Sequence, residues 1–161
     1  MRALACLLTI VAVGLWSESR AENLSKSSRC TVKQHGVTDR EKCVIDVGVS
    51  VVNGECHLDV PKYVFASRTD ADGQITDRQV LVWRLKPNQG NKYMFDPNQG
   101  VVITNGAGVF VEPGYLNGDD TRYKLRDRNP SNKTFDYSLQ VVSRTNPNDT
   151  CKTDPVIANQ D

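Results

Sequence analysis

Hydrophobic and polar residues alternate along much of this chain, and the alternation is clearest in residues 122–142. The apolar positions there are Tyr123, Leu125, Phe135, Tyr137, Leu139 and Val141. A two-residue period is typical of β-strands that bury only one face. Matching the apolar faces predicts a β-hairpin in which Tyr123 lies across from Leu139. We expect a type I turn to close this hairpin, because its preferred residues are found in Asn129-Pro130-Ser131-Asn132.

A second alternating region, residues 43–60, is interrupted by the pair Asn53-Gly54. Asn-Gly between two alternating runs is the strongest short signal for a hairpin with a type I′ turn. Such a turn places Val51 opposite Cys56 in the neighbouring strand. This part of the chain is therefore expected to form another antiparallel strand pair.

Further short strands are expected at residues 63–66, 79–85, 92–95, 101–104 and 109–112. Turn-forming residues separate them, and nothing after residue 21 has a convincing helical period. Trp83 shares an apolar face with Leu81 and Leu85, so we expect it at the centre of the core. The pattern predicts an all-β fold, a disulfide-stabilised two-sheet antiparallel β-sandwich of immunoglobulin-like or cupredoxin-like shape. A small closed β-barrel is the alternative.

The first 21 residues differ from the rest of the chain. Arg2 precedes an apolar run at residues 3–16, and Ser19-Arg20-Ala21 follows with small residues where a signal peptidase cuts. This predicts a signal peptide cleaved before Glu22, since the run is shorter than the roughly 18 residues that span a bilayer. The expected organisation is a signal peptide at 1–21, a β-sandwich domain at 22–144 and an irregular tail at 145–161. The protein is thus expected to be exported, either periplasmic or secreted.

Cys6 leaves with the signal peptide, and an even set of cysteines remains: Cys30, Cys43, Cys56 and Cys151. In an exported protein this predicts two disulfides. The Asn-Gly turn disfavours a bond from Cys43 to Cys56, because Cys43 would lie roughly 27 Å along the strand from the partner of Cys56. We favour Cys30–Cys43 with Cys56–Cys151, where the second bond tethers the tail. Cys30–Cys56 with Cys43–Cys151 remains the alternative.

The charge balance limits the classes of partner. The chain has 20 basic and 19 acidic side chains, and signal cleavage removes Arg2, Arg20 and Glu18. The remainder therefore carries equal numbers of both, which argues against general binding of nucleic acids or membranes. We expect no nucleic-acid partner and no membrane anchor after cleavage.

No motif predicts a metal or another cofactor. Both histidines, His35 and His57, precede the last cysteine, whereas a blue-copper site needs a histidine shortly after its cysteine ligand. Residues 70–77 resemble part of an EF-hand loop. However, Arg68 and Gln79 stand where the pattern requires the first Asp and the bidentate Glu. Zinc is disfavoured by the lack of a Cys-x-x-Cys pair.

Catalytic residues are not predicted either. Cys56 and His57 are adjacent, but the hairpin register points them to opposite faces, so they cannot act as a nucleophile and its base. Carboxylates that would have to converge for hydrolysis are scattered: Asp59, Asp96, Glu112 and Asp127. Asp127 is expected on the inner face, as a structural acid that accepts hydrogen bonds from backbone amides.

The remaining candidate is a row of cations on the outer face, the basic row: Arg122, Lys124, Arg126 and Arg128. It would extend roughly 20 Å and could contact an acidic protein surface or an anionic glycan. The competing interpretation is a solvated strand face whose charges discourage edge-to-edge pairing.

Together these features predict an exported, non-catalytic binding or interaction protein with the basic row as its ligand-binding site. One alternative is a periplasmic inhibitor or immunity protein directed at an enzyme. The other is a small carboxylate-dependent hydrolase, which would require two acids to meet in a pocket.

Overall fold

A computed structural model describes residues 27–30, 42–67, 79–128 and 132–160, and every regular element in these ranges is a β-strand. The strands are β1 (Ser27–Cys30), β2 (Lys42–Val52), β3 (Glu55–Asp59), β4 (Tyr63–Ser67), β5 (Gln79–Leu85), β6 (Tyr93–Phe95), β7 (Val101–Ile103), β8 (Phe110–Leu116), β9 (Asp119–Asp127), β10 (Thr134–Ser143), β11 (Thr150–Thr153) and β12 (Val156–Gln160). The predicted signal peptide and the loop that resembles an EF-hand lie outside the described residues.

Two sheets pack face to face. One has the order β3-β2-β5-β9-β8. The other has the order β1-β4-β12-β10-β11, with β6 and β7 also paired to β10. This confirms the all-β sandwich, and the described strands do not close into a barrel. Both sheets are mixed, because β2–β5, β1–β4 and β4–β12 are parallel pairs, whereas a wholly antiparallel arrangement was expected.

The core lies between the sheets and is centred on Trp83, as predicted. The Trp83 side chain is fully buried, and its Nε1 donates a hydrogen bond to the Tyr137 hydroxyl at 3.2 Å. The two ring centroids are 5.4 Å apart. Because Trp83 is on β5 and Tyr137 on β10, this contact joins the two sheets.

The Asn53-Gly54 hairpin is confirmed. Both turn residues have positive φ, 53° and 84°, as a type I′ turn requires. The resulting register between β2 and β3 pairs Val51 with Cys56. Local turn chemistry was therefore sufficient to predict this strand pair.

The predicted hairpin between residues 122–128 and 134–142 is wrong. β9 pairs with β5 on one side and β8 on the other, so neither of its edges is left for β10. Tyr123 lies beside Trp83 and Tyr115, and Leu139 lies in the other sheet. The apolar faces of β9 and β10 do point inward, but they belong to opposite sheets. The predicted turn at Asn129-Pro130-Ser131 lies outside the described residues.

The hairpin partner of β9 is β8, and a second Asn-Gly turn joins these two strands. Asn117 and Gly118 have φ of 56° and 77°, and Leu116 pairs with Asp119 across the turn. Alternation shows which face of a strand is buried, but it does not distinguish a neighbour within the sheet from a strand across the core.

The C-terminal segment is more regular than expected. Instead of an irregular tail, residues 145–161 contain β11 and β12, and β12 lies between β4 and β10 with Ile157 fully buried. The predicted Cys56–Cys151 disulfide is confirmed, with Cα atoms 5.2 Å apart, and it links β3 to β11. Cys43 is also disulfide-bonded. Its pairing with Cys30, whose side chain lies outside the described part, stays a prediction.

Candidate functional site

The basic row lies on the outer face of β9. Arg122, Lys124 and Arg126 alternate with buried inward residues, and Arg128 follows the end of the strand and is exposed. The Arg122 side chain is 48% exposed and that of Arg126 is 25% exposed. Because hydrogen-bonded strands flank β9 on both sides, the row is held on an inner strand of the sheet.

Two of these cations already have acidic partners. Arg122 Nε lies 3.2 Å from Asp119 Oδ2, and Arg126 Nη2 lies 2.9 Å from Glu112 Oε1. In the described part of the chain, no salt bridge joins Lys124 or Arg128 to an acid. Within the described residues, the row therefore consists of two ion-paired arginines and two cations that no acid contacts.

Asp119 stays ionised under ordinary conditions. A hydrogen bond from the Thr121 hydroxyl, 2.6 Å from Asp119 Oδ1, lowers the pKa of this carboxyl. The Thr121 backbone N–H and the charge of Arg122 act in the same direction, against the opposing effect of burial. The negative charge beside Arg122 is thus a permanent feature of this face.

Neighbouring strands add further ion pairs to the same outer face. Arg84 on β5 lies next to Arg122 in register and binds Asp46 of β2, with Nη2 to Oδ1 at 2.7 Å. Beyond β5, Lys86 Nζ lies 2.6 Å from Asp59 Oδ2. Gly48 lies close beneath this pair, since a Cβ there would be 3.2 Å from Lys86 Nζ. The face therefore carries charges of both signs.

An apolar line crosses the face between these ion pairs. Val82 pairs in register with Lys124 on one side and with Val44 on the other. Val82 is only 2% exposed although it points away from the core, whereas Val44 is 45% exposed. The aliphatic stems of long charged side chains shield apolar positions of this kind. The line formed by Val44, Val82 and Lys124 thus ends in the Lys124 ammonium group.

Glu112 reaches Arg126 through an irregularity in β8. The register between β8 and β9 shifts between Val111 and Gly114, and Glu112 has a φ of 57° immediately before Pro113. Positive φ is uncommon for a residue other than glycine, and a following proline restricts the backbone further. The bulge and the proline also leave this edge of the sheet poorly suited to pairing with another strand. Nothing in the alternation pattern indicated the bulge.

The structure distributes the four carboxylates considered for hydrolysis among separate surroundings. Asp59 pairs with Lys86 and Glu112 with Arg126. Asp96 Oδ1 accepts hydrogen bonds from the backbone N–H groups that follow it, at 2.8 Å and 2.7 Å. These acids have different partners in the described structure, where no group of three or more His, Cys, Asp or Glu is placed to hold a metal.

Asp127 lies on the inner face, as predicted. It is fully buried, and the Asn159 side chain donates a hydrogen bond to it at 3.4 Å from the opposite sheet. Gln79, its neighbour in register, is 1% exposed. These three residues form a buried polar cluster that spans the two sheets, and the sequence alone did not show its other members.

In comparison with known proteins, no family model and no curated protein matches the chain. The fold therefore defines its class, a disulfide-bonded two-sheet β-sandwich with a mixed-charge outer face. Among the described residues there is no helix long and apolar enough to cross a membrane.

Proposed function

We propose that the protein is an exported, non-catalytic binding protein that contacts an anionic partner through the basic row, Arg122, Lys124, Arg126 and Arg128. The observation that carries this proposal is the outward projection of Arg122, Lys124 and Arg126 from an inner strand, with the exposed Arg128 directly after its end. A site on a rigid sheet keeps its charges at defined spacings, so less conformational entropy is lost on binding.

Export is supported by two independent features. The Cys56–Cys151 bond is of the kind that persists in oxidising compartments. The N-terminal 21 residues have the pattern of a cleaved signal peptide. A non-catalytic role is supported by the different settings of Asp59, Asp96 and Glu112.

The two ion-paired arginines, Arg122 and Arg126, have more N–H donors than their salt bridges use, and these donors can bind a ligand. A guanidinium has five N–H donors, and Arg126 contacts Glu112 through Nη2. An anion near Lys124 would meet the flanking guanidinium groups as well as the ammonium. Charge-assisted hydrogen bonds of this type are the stronger class in proteins.

The test replaces Lys124 and Arg126 together by Gln, which removes two central cations and keeps side-chain length similar. Immobilised heparin and immobilised poly-glutamate are the two anionic probes, and binding is measured by surface plasmon resonance at low salt. We expect the variant to bind the preferred probe roughly tenfold more weakly, because two charge contacts are lost.

A matched control is Lys133→Gln with Lys152→Gln, two exposed lysines associated with the other sheet. It removes the same formal charge, and its affinity should stay within about twofold of the parent. Equal weakening by both double variants would show that only net charge matters. A parent protein that binds neither probe would also contradict the proposal.

A further inference from the structure

We propose that the outer face of β9 recognises the surface of an acidic protein rather than a polyanionic glycan. This rests on the proposed function and narrows its partner class. The face is inferred to hold two separate carboxylates of the partner at Lys124 and Arg128, with Val44 as an apolar contact beside them.

Two cations of the basic row, Lys124 and Arg128, have no acidic partner among the described residues. Lys124 lies in β9, and Arg128 directly follows its last residue, four positions further along the chain, which corresponds to roughly 13 Å at the usual strand rise. Arg126 lies between them but is bound to Glu112 at 2.9 Å. Among the described residues, the cations of the row that no acid of this chain binds are therefore two separate points rather than a continuous row.

The carboxylates of this face would repel a ligand with closely spaced negative charges. Asp119 and Glu112 hold negative charge on the same face, within 3.2 Å and 2.9 Å of the arginines that they bind. A sulfated glycan places negative groups at short, regular intervals, so some of them would lie close to these carboxylates. Like charges in proximity are unfavourable. A folded protein can present two acids at the required spacing with neutral groups between them.

The apolar line of Val44, Val82 and Lys124 favours a protein partner. Val44 is 45% exposed and lies two strands from Lys124, roughly 10 Å away at the usual strand spacing. Protein interfaces combine apolar contacts with polar and charged groups around them. A sulfated sugar offers no aliphatic side chain to cover Val44, whereas a protein surface does.

The probes are two nine-residue peptides of identical composition and one heparin octasaccharide. The first peptide has Glu at its third and seventh positions, which matches the inferred spacing of Lys124 and Arg128 in an extended chain, and Val at its fifth. The second has Glu at its third and fifth positions and Val at its seventh. Binding to the purified, isotope-labelled protein is followed by NMR titration at low salt.

The decisive variants are two charge-matched pairs on the same sheet face. Lys124→Gln with Arg128→Gln removes the unpaired cations. Arg84→Gln with Lys86→Gln removes one Arg and one Lys that are ion-paired to Asp46 and Asp59. We expect the first pair to raise the dissociation constant of the matched peptide roughly tenfold and the second to change it less than about twofold.

Each other outcome contradicts the inference. Heparin that binds more tightly than the matched peptide and is weakened equally by both variant pairs would indicate a polyanion site, leaving only the proposed function intact. Equal affinity of the two peptides would exclude the inferred spacing. If neither heparin nor either peptide binds, both the inference and the proposed function are wrong.

Discussion

Identical residues in a repeated tetrapeptide have different roles in this molecule. Pro-Asn-Gln-Gly occurs at residues 87–90 and again at 97–100. The Gln89 amide accepts a hydrogen bond from Val49 N at 3.0 Å and donates one to Val49 O at 2.8 Å, whereas Gln99 is exposed. β5 ends at Leu85, whereas β2 continues to Val52. Beside Val49, the Gln89 side chain therefore makes the two hydrogen bonds that a neighbouring strand would otherwise make.

This difference leads to a prediction with an internal control. Gln89→Ala should lower the free energy of unfolding by about 1–2 kcal/mol, because two backbone groups of a half-buried strand lose their partner. Gln99→Ala should change it by less than about 0.5 kcal/mol, as is usual for exposed positions. Urea denaturation measures both. Equal losses in the two variants would show that the Gln89 bonds contribute nothing specific.

A second prediction at this scale concerns Tyr137. Burial raises the pKa of its hydroxyl above the ordinary value of 10.0, although the hydrogen bond from Trp83 acts in the opposite direction. Above pH 10 the unfolded chain therefore loses a proton that the folded protein keeps. The resulting stability is fully present below pH 10 and is lost as the pH rises further.

Tyr137→Phe should cost about 1–3 kcal/mol at pH 7, since the Trp83 N–H is left without its partner. The difference in stability between parent and variant should then narrow by about 1 kcal/mol per pH unit above pH 10, because Phe does not titrate. Chemical denaturation at several alkaline pH values provides the measurement. Parallel pH profiles for the two proteins would contradict the assignment.

Individual positions show what sequence alone can predict. The burial of Trp83 and Asp127 was predicted from their places in the two-residue alternation of their strands, and both side chains are fully buried. The ion pairs on the outer face did not follow, because Glu112 reaches Arg126 through a bulge that alternation does not encode. The alternation predicts the face of the strand on which a side chain lies. The ion-pair partner of that side chain depends on which strands are adjacent, which the alternation does not show.

At the scale of strands and turns, the two Asn-Gly pairs decide the order of the five-stranded sheet. Asn53-Gly54 joins β2 to β3, and Asn117-Gly118 joins β8 to β9. The first lies between clearly alternating runs, so it was recognised. The second follows a strand that contains Pro113 and a register shift, which obscures its alternation. Face matching alone then favoured β10 as the partner of β9, incorrectly.

The second turn can be tested directly. Gly118 has a φ of 77°, so Gly118→Ala should destabilise the protein by about 1 kcal/mol through backbone strain. Asn117→Gly, which keeps a residue tolerant of positive φ, should change stability by less than about 0.5 kcal/mol. Thermal unfolding of both variants checks this, and an unchanged Gly118→Ala protein would contradict a type I′ turn here.

At the scale of the whole molecule, the strand content was predictable but the order of strands was not. Alternation and turn residues placed most strands close to their observed bounds. Parallel neighbours such as β2 and β5 are joined by long connections without a local turn signal. The position of β12 inside a sheet was not predicted for the same reason, because one of its partners, β4, lies far away in sequence.

The Cys56–Cys151 bond gives the most direct test of this architecture. It joins β3 and β11, strands of different sheets separated by 95 residues. A cross-link over a loop of that length restricts the unfolded chain strongly, and the loop-entropy model assigns it about 4–5 kcal/mol. Cys56→Ala with Cys151→Ala should therefore lower the unfolding free energy by about that amount while the strand content by circular dichroism is retained. A variant that unfolds at the same urea concentration as the parent would show that the two sheets are held together without the bridge.

Peptide mapping of the oxidised parent should recover the same linkage, and a Cys43–Cys151 peptide in its place would contradict the observed contact between β3 and β11.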